Sequence, residues 1–191
     1  MTREKRRIEI LRGAGYVFSE KGFHGAKMDE IAKEAGVGKG TIYGYFDSKE
    51  ALFRELIKFA MEEFKVGMEK ALGNGVNCRE RIINLFKFHG YFLSKYMDIT
   101  QIFVNQQGLL PKELKEEIIN EKIELFNIIE GVIEEGKKNG ELRKNLDIRL
   151  AALCIVGSIS NFYVSELIYR KNEYEDIFPE PMVDLIFEGF K

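Results

Sequence analysis

The chain of 191 residues has two cysteines, three prolines, two histidines and no tryptophan. Cys78 and Cys154 stand 76 positions apart, which makes neither a disulfide framework nor a zinc site. With so little proline and 18 glycines, a low-complexity scaffold is excluded. The histidines, His24 and His89, fall in different regions. No G-x-S-x-G, no H-x-x-x-H and no cysteine near a histidine at ligand spacing is present. The expectation is therefore no enzyme, no catalytic residue, no metal and no cofactor. The longest uncharged run, Leu150 to Ser165, spans 16 residues and includes three serines and an asparagine. It reads as too short and too polar to cross a bilayer, and the charged N-terminus shows no signal peptide. A cytoplasmic protein without a membrane partner is expected.

A large excess of charge is also missing: 29 basic residues against 31 acidic give −2, which by itself argues against nucleic acid. The mean conceals an asymmetry. Residues 1–50 hold ten Lys and Arg against eight Asp and Glu, so the remainder is acidic. A basic head on an acidic body suggests two regions with different partners. What is abundant is apolar and charged side chains, 45% and 31%, enough for one domain or two small ones.

Nearly every segment has helical period, so the fold class is all-α, with eight or nine helices. Ile8, Leu11, Ala14 and Phe18 share one face of a first helix, which Gly22 and Phe23 end. Met28, Ile31, Ala32 and Ala35 line a short second one, stopped by Gly36. A third runs from about Lys39 to Tyr45. Asp47 and Glu50 form a capping box for a fourth, and Asn77 and Glu80 form another for the fifth. Pro111 opens a long helix carrying Ile118, Ile119, Ile123, Leu125, Phe126, Ile129, Val132 and Ile133. Asp147 caps an apolar helix reaching about Tyr169, and Pro179 and Pro181 introduce a last one.

The second and third helices are joined by Gly36-Val37-Gly38, with Ala32, Val37 and Ile42 placed to hold them at a steep angle. Spacing alone fits both a plain αα-corner and a helix-turn-helix that sets a recognition helix in the major groove. Cations at Arg3, Lys5, Arg6 and Arg7 oppose the first helix's dipole, and Lys49 lies where free backbone N–H groups suit a phosphate. A frayed, solvated tail accounts for the first feature as well, and is the commoner cause of such runs; together with Tyr43 and Tyr45 on a helix too short to bury them, the three features favour the DNA reading. The Gly36–Thr41 run matches neither glycine-loop nucleotide motif in register, and no strand precedes it.

Residues 29–50, DEIAKEAGVGKGTIYGYFDSKE, resemble the signature I-A-x-x-A-G-V-S-x-G-T-[LI]-Y-x-Y-F-x-[SN]-K-E-x-L of the TetR family of bacterial transcription regulators. The resemblance covers about residues 5–60. It implies a homodimeric repressor with a DNA-binding domain, 1–47, and an effector-binding and dimerisation domain, 48–191, connected by the helix 48–72. Carried over by position, Arg3, Arg7, Lys27, Lys39, Gly40, Thr41, Tyr43, Tyr45 and Lys49 face double-stranded operator DNA. Two departures stand out. No Ser or Thr caps the second helix at Ala26 or Lys27, and glycines occupy 38 and 44, where side chains usually help to read DNA. Direct base readout then rests on Lys39 for a guanine edge and Thr41 for a thymine methyl, with DNA shape or Tyr43 and Tyr45 supplying the rest.

In the body, Leu150 to Ser165 is apolar nearly all round, as a helix buried on every side would be. A two-fold dimer helix and a monomer's central core helix both fit. The resemblance implies the dimer, through Leu153, Gly157, Ser158, Ser160, Asn161, Ile186 and Phe187. Aromatic stripes at helical spacing are more often an ordinary core than a ligand site, and His89 on the apolar stripe reads more often as a satisfied core histidine than as a polar handle. The family's apolar cavity assigns Phe64, Phe86, His89, Phe92, Phe103, Phe126, Phe162 and Tyr163 to a small hydrophobic or amphipathic effector. The competing reading is a helical small-molecule-binding protein or enzyme whose head is a structural corner.

Overall fold

The computed structural model describes residues 2–96 and 112–190. Phe103 and Pro111 lie outside the described residues. Within them are eight α-helices and no strand: α1 (Arg3–Gly25), α2 (Met28–Glu34), α3 (Lys39–Tyr43), α4 (Lys49–Gly73), α5 (Cys78–Lys95), α6 (Lys112–Lys138), α7 (Ile148–Tyr163) and α8 (Glu180–Glu188). The helix ends follow local chemistry. Gly22 has φ 67° and kinks α1, and Gly36 at φ 63° turns the chain out of α2. The Asn77 side chain accepts from the Glu80 N–H at 2.8 Å, and that of Asp147 from the Leu150 N–H at 3.0 Å. At α4 the expected Asp47 cap is replaced by its neighbour: the Ser48 hydroxyl accepts from the Ala51 N–H at 3.1 Å. Phe46, two residues before the cap, is only 4% exposed.

The chain divides into two compact units, one built on residues up to Glu63 and the other on Phe64–Lys95 and Ile118 onward. In the first, α1 packs on α2 and α2 on α3. Ile10, Leu11, Phe18, Ile31, Ile42, Leu52 and Leu56 are fully buried. Phe53 of α4 lies edge-on to Phe18 of α1, with ring centroids 5.1 Å apart.

In the second unit, one core joins Ile82, Leu85 and Phe86 of α5, Ile129, Val132 and Ile133 of α6, Ile155, Ile159 and Tyr163 of α7, and Val183 and Phe187 of α8. Two expectations are corrected here. Ile119 and Ile123, assigned to the apolar faces of the long helix, are more than half exposed. Nor is α7 buried on every side: Ala151, Ala152, Ile155, Ile159 and Tyr163 face the core, whereas Leu150, Leu153, Cys154, Gly157 and Asn161 are exposed. Beyond Tyr163 the helix widens into π turns over Val164–Tyr169, with Arg170 N–H donating to the Ser165 carbonyl at 2.9 Å. The continuous helix Ile148–Tyr169 has 22 residues and by length and composition alone could span a bilayer. The shorter estimate rested on the uncharged run, which stops before the helix does. Its inner face belongs to the core of its own unit, as in a globular helix.

Candidate nucleic-acid interface and ligand cluster

In the first unit, five-residue α3 begins at Lys39 and turns only Ile42 fully inward, leaving Lys39, Gly40, Thr41 and Tyr43 exposed. A methyl group added at Gly40 would meet nothing within 4 Å, so packing inside the chain does not require glycine there. The cations singled out from the sequence are nearly all engaged. Lys39 Nζ lies 2.9 Å from Asp29 of α2, which raises its pKa above the usual lysine value. Arg7 is paired with Glu55 and lies 3.5 Å from Glu4. The Arg3 guanidinium sits 5.7 Å from the centre of the Tyr45 ring. Lys49 donates to the carbonyls of Ala26 and His24 at 2.9 and 3.3 Å and lies 4.8 Å from the centre of the Phe23 ring. Its ammonium thus closes the corner between α1 and α2, where the Gly22 kink leaves main-chain oxygens turned toward α4. Lys27 is exposed at the start of α2. No side chain caps that helix; instead the Glu30 carboxylate accepts from the Lys27 N–H at 3.4 Å. Lys27, Asp29, Tyr43, Ser48 and Lys49 share the lining of one open groove.

In the second unit, Phe64, Phe86, His89, Phe92, Phe162 and Tyr163 form one chain of ring contacts. Phe64 lies 5.0 Å from Phe92 and 5.5 Å from His89, ring centre to ring centre. His89 lies 6.2 Å from Tyr163, which is 5.0 Å from Phe162, itself 6.4 Å from Phe86. Phe126 packs against the same core. Phe103, assigned to this cluster, lies outside the described residues. Burial among the rings lowers the His89 pKa to about 4, so its imidazole is neutral at pH 7. The Tyr163 hydroxyl is buried with no hydrogen-bond partner among the described residues, and so is the Glu180 Oε2. The other Glu180 oxygen pairs with Lys87 at 2.6 Å.

Two glycines that sequence reasoning passed over make this cluster possible. A Cβ on Gly90 would come within 2.2 Å of the Tyr163 ring, and one on Gly67 within 2.1 Å of the Phe88 ring. The available signal was a glycine inside a helix, which costs about 1 kcal/mol against alanine unless a close approach requires it.

Of the residues assigned to a dimer surface, Leu153, Gly157, Ser160 and Asn161 are exposed, and Ser158 and Ile186 are half-buried. Phe187 is 4% exposed and packs in the core of its own unit, whereas Leu185 is 66% exposed and takes the outward position on α8.

The family model of the bacterial regulatory proteins of the tetR family matches residues 10–56, and that of the tetracyclin repressor-like C-terminal domain matches residues 75–164. The fatty acid metabolism regulator protein of Bacillus subtilis (strain 168) is 34% identical over 156 residues, 80% of this chain and 78% of the relative. The chain belongs to the TetR family. Membership makes it a DNA-binding transcription regulator rather than an enzyme and sets aside the structural-corner reading. Among solved structures, this TetR-family chain is similar to the regulator FadR from Bacillus subtilis in complex with stearoyl-CoA, with TM-score 0.71, 27% identity and 95% of each chain covered. It is also similar to the fatty acid degradation regulator FadR from Bacillus halodurans, with TM-score 0.77, 25% identity and 96% and 99% coverage.

Proposed function

We propose that this TetR-family regulator is a homodimeric repressor of lipid-related genes that leaves a palindromic operator when a long-chain acyl-CoA occupies its aromatic cluster. The observation carrying the ligand class is that cluster, Phe64, Phe86, His89, Phe92, Phe126, Phe162 and Tyr163, with its unpartnered hydroxyl and neutral imidazole. Such a set of side chains suits a long apolar chain bearing one polar group. The likeness to a regulator solved with stearoyl-CoA supports the same reading. Dimerisation uses the outward apolar strip of α7, Leu153, Gly157, Ser160 and Asn161, with Ile186 of α8 at its edge.

On DNA, Lys39 and Thr41 reach base edges and Tyr43 and Tyr45 line the groove. Gly40 allows close approach, and Arg3, Arg7, Lys27 and Lys49 take phosphates. The domain division remains 1–47 for DNA and 48–191 for effector and dimer, with the protein working in the cytoplasm.

The test is a titration. Duplexes recovered from a randomised library by the wild-type protein are titrated in the complex with stearoyl-CoA, free coenzyme A and stearate. Release by stearoyl-CoA, and none by coenzyme A at equal concentration, is the expected outcome. A complex unaffected by stearoyl-CoA overturns the ligand assignment while leaving the DNA-binding assignment standing.

A further inference from the structure

The cation that opens α3 is held from α2. Both Asp29 carboxylate oxygens lie 2.9 Å from Lys39 Nζ, and the two side chains remain 60% and 64% exposed. An ammonium has three N–H donors. With one donated to Asp29 Oδ2 and the ammonium drawn against both oxygens, the rest of its donor capacity is left for an acceptor outside the chain. The position of the ammonium is fixed by α2, so Asp29 aims the side chain that opens the recognition helix.

We infer that Asp29 is a positioning residue that sets how strongly the protein prefers its operator to other DNA. The inference rests on the reading of Lys39 as a base-edge contact. A guanine edge brings neutral N7 and O6 acceptors to the remaining donor capacity. A phosphate brings a negative charge within reach of the Asp29 carboxylate as well as the ammonium. Asp29 therefore penalises the phosphate contact more than the base contact, and specificity, being a difference of affinities, widens. The arrangement also limits non-specific binding, because Lys39 is already neutralised and displaces fewer counterions.

The experiment compares a duplex recovered by wild-type protein from a randomised library with a shuffled duplex of the same composition, across several salt concentrations. Asp29→Asn is expected to tighten binding to the shuffled duplex about fivefold, with a salt slope steeper by about one. Binding to the recovered duplex should change by less than about twofold, so that discrimination falls. Asp29→Glu should restore the wild-type ratio. In a Lys39→Ala background the Asp29→Asn effect should disappear, since it acts through that ammonium. Glu34→Gln, at the exposed far end of α2, should leave the ratio unchanged. Equal changes on both duplexes, the same result from Glu34→Gln, or persistence without Lys39 each overturn the inference. Recovery of no duplex by the wild type overturns the DNA-binding reading, and the role of Asp29 with it.

Discussion

The first unit closes its polar groups on itself, whereas the second leaves some of its own open. Around α3, the ammonium of Lys39 has a carboxylate, that of Lys49 has two carbonyls, and Arg3 and Arg7 have a ring and two glutamates. Around Tyr163, a hydroxyl and a carboxylate oxygen are buried without partners among the described residues, and a neutral histidine sits among rings. Buried unpartnered groups are destabilising, and a hydrogen bond supplied from outside removes that cost. The contrast separates a surface whose cations are already paired within the chain from a cluster in which two polar atoms are not.

The largest effect distinguishing the two regions should come from pH. His89 is neutral when folded, with a pKa near 4, against 6.5 when unfolded. Between those values the unfolded chain binds the extra proton, so stability is complete above about pH 6.5 and falls as pH drops toward 4. The loss should reach about 3 kcal/mol. Denaturant midpoints across that range should show it, and His89→Phe should flatten the curve; a wild-type curve no steeper than that of the variant would remove the desolvated histidine.

Next in size is a pair of glycine substitutions. Gly90→Ala places a methyl group against the Tyr163 ring and should cost about 2–3 kcal/mol, a fall in Tm of roughly 5–10 °C. Gly40→Ala meets nothing and should raise stability by up to about 1 kcal/mol through helix propensity. Equal effects would erase the distinction between a glycine held for internal packing and one that is not.

The smallest effects should have opposite signs. Lys49→Met keeps the stem over Phe23 but loses two hydrogen bonds and should cost about 1–2 kcal/mol. Tyr163→Phe removes an unpartnered hydroxyl from the ligand-free protein and should be neutral or stabilising by about 1 kcal/mol. A loss from Tyr163→Phe as large as that from Lys49→Met, in urea unfolding, would show that the hydroxyl is satisfied in solution.

The helical period and the residues that start and stop helices were legible along the chain, because Gly22, Gly36, Asn77 and Asp147 act within one turn of themselves. The α4 cap was misread because Asp47 and Ser48 are adjacent polar residues that can each cap a helix start, and local sequence does not choose between them. The face of α7 that enters the core could not be read from composition, since both faces are apolar. The same ambiguity exchanged Phe187 for Leu185 on α8. That Phe64, Phe86, His89, Phe92, Phe162 and Tyr163 lie together was legible from their helical spacing, whereas Phe88, which joins Phe64 and Phe92, and Gly67 and Gly90, which let the rings approach the helices, were missed. The groups that hold Lys49 were not legible either, because they are main-chain carbonyls brought into place by a kink.

The different surroundings of the two thiols give the chain a built-in reporter. Cys78 lies buried under the second unit's core with its pKa pushed up to about 12, so it stays protonated and unreactive at neutral pH. Cys154 is exposed among Leu150, Leu153 and Gly157 on the outer face of α7. A maleimide fluorophore added to the native protein therefore labels one position, on the strip proposed to meet a second copy. Its quenching and reaction rate then follow assembly without any engineered residue.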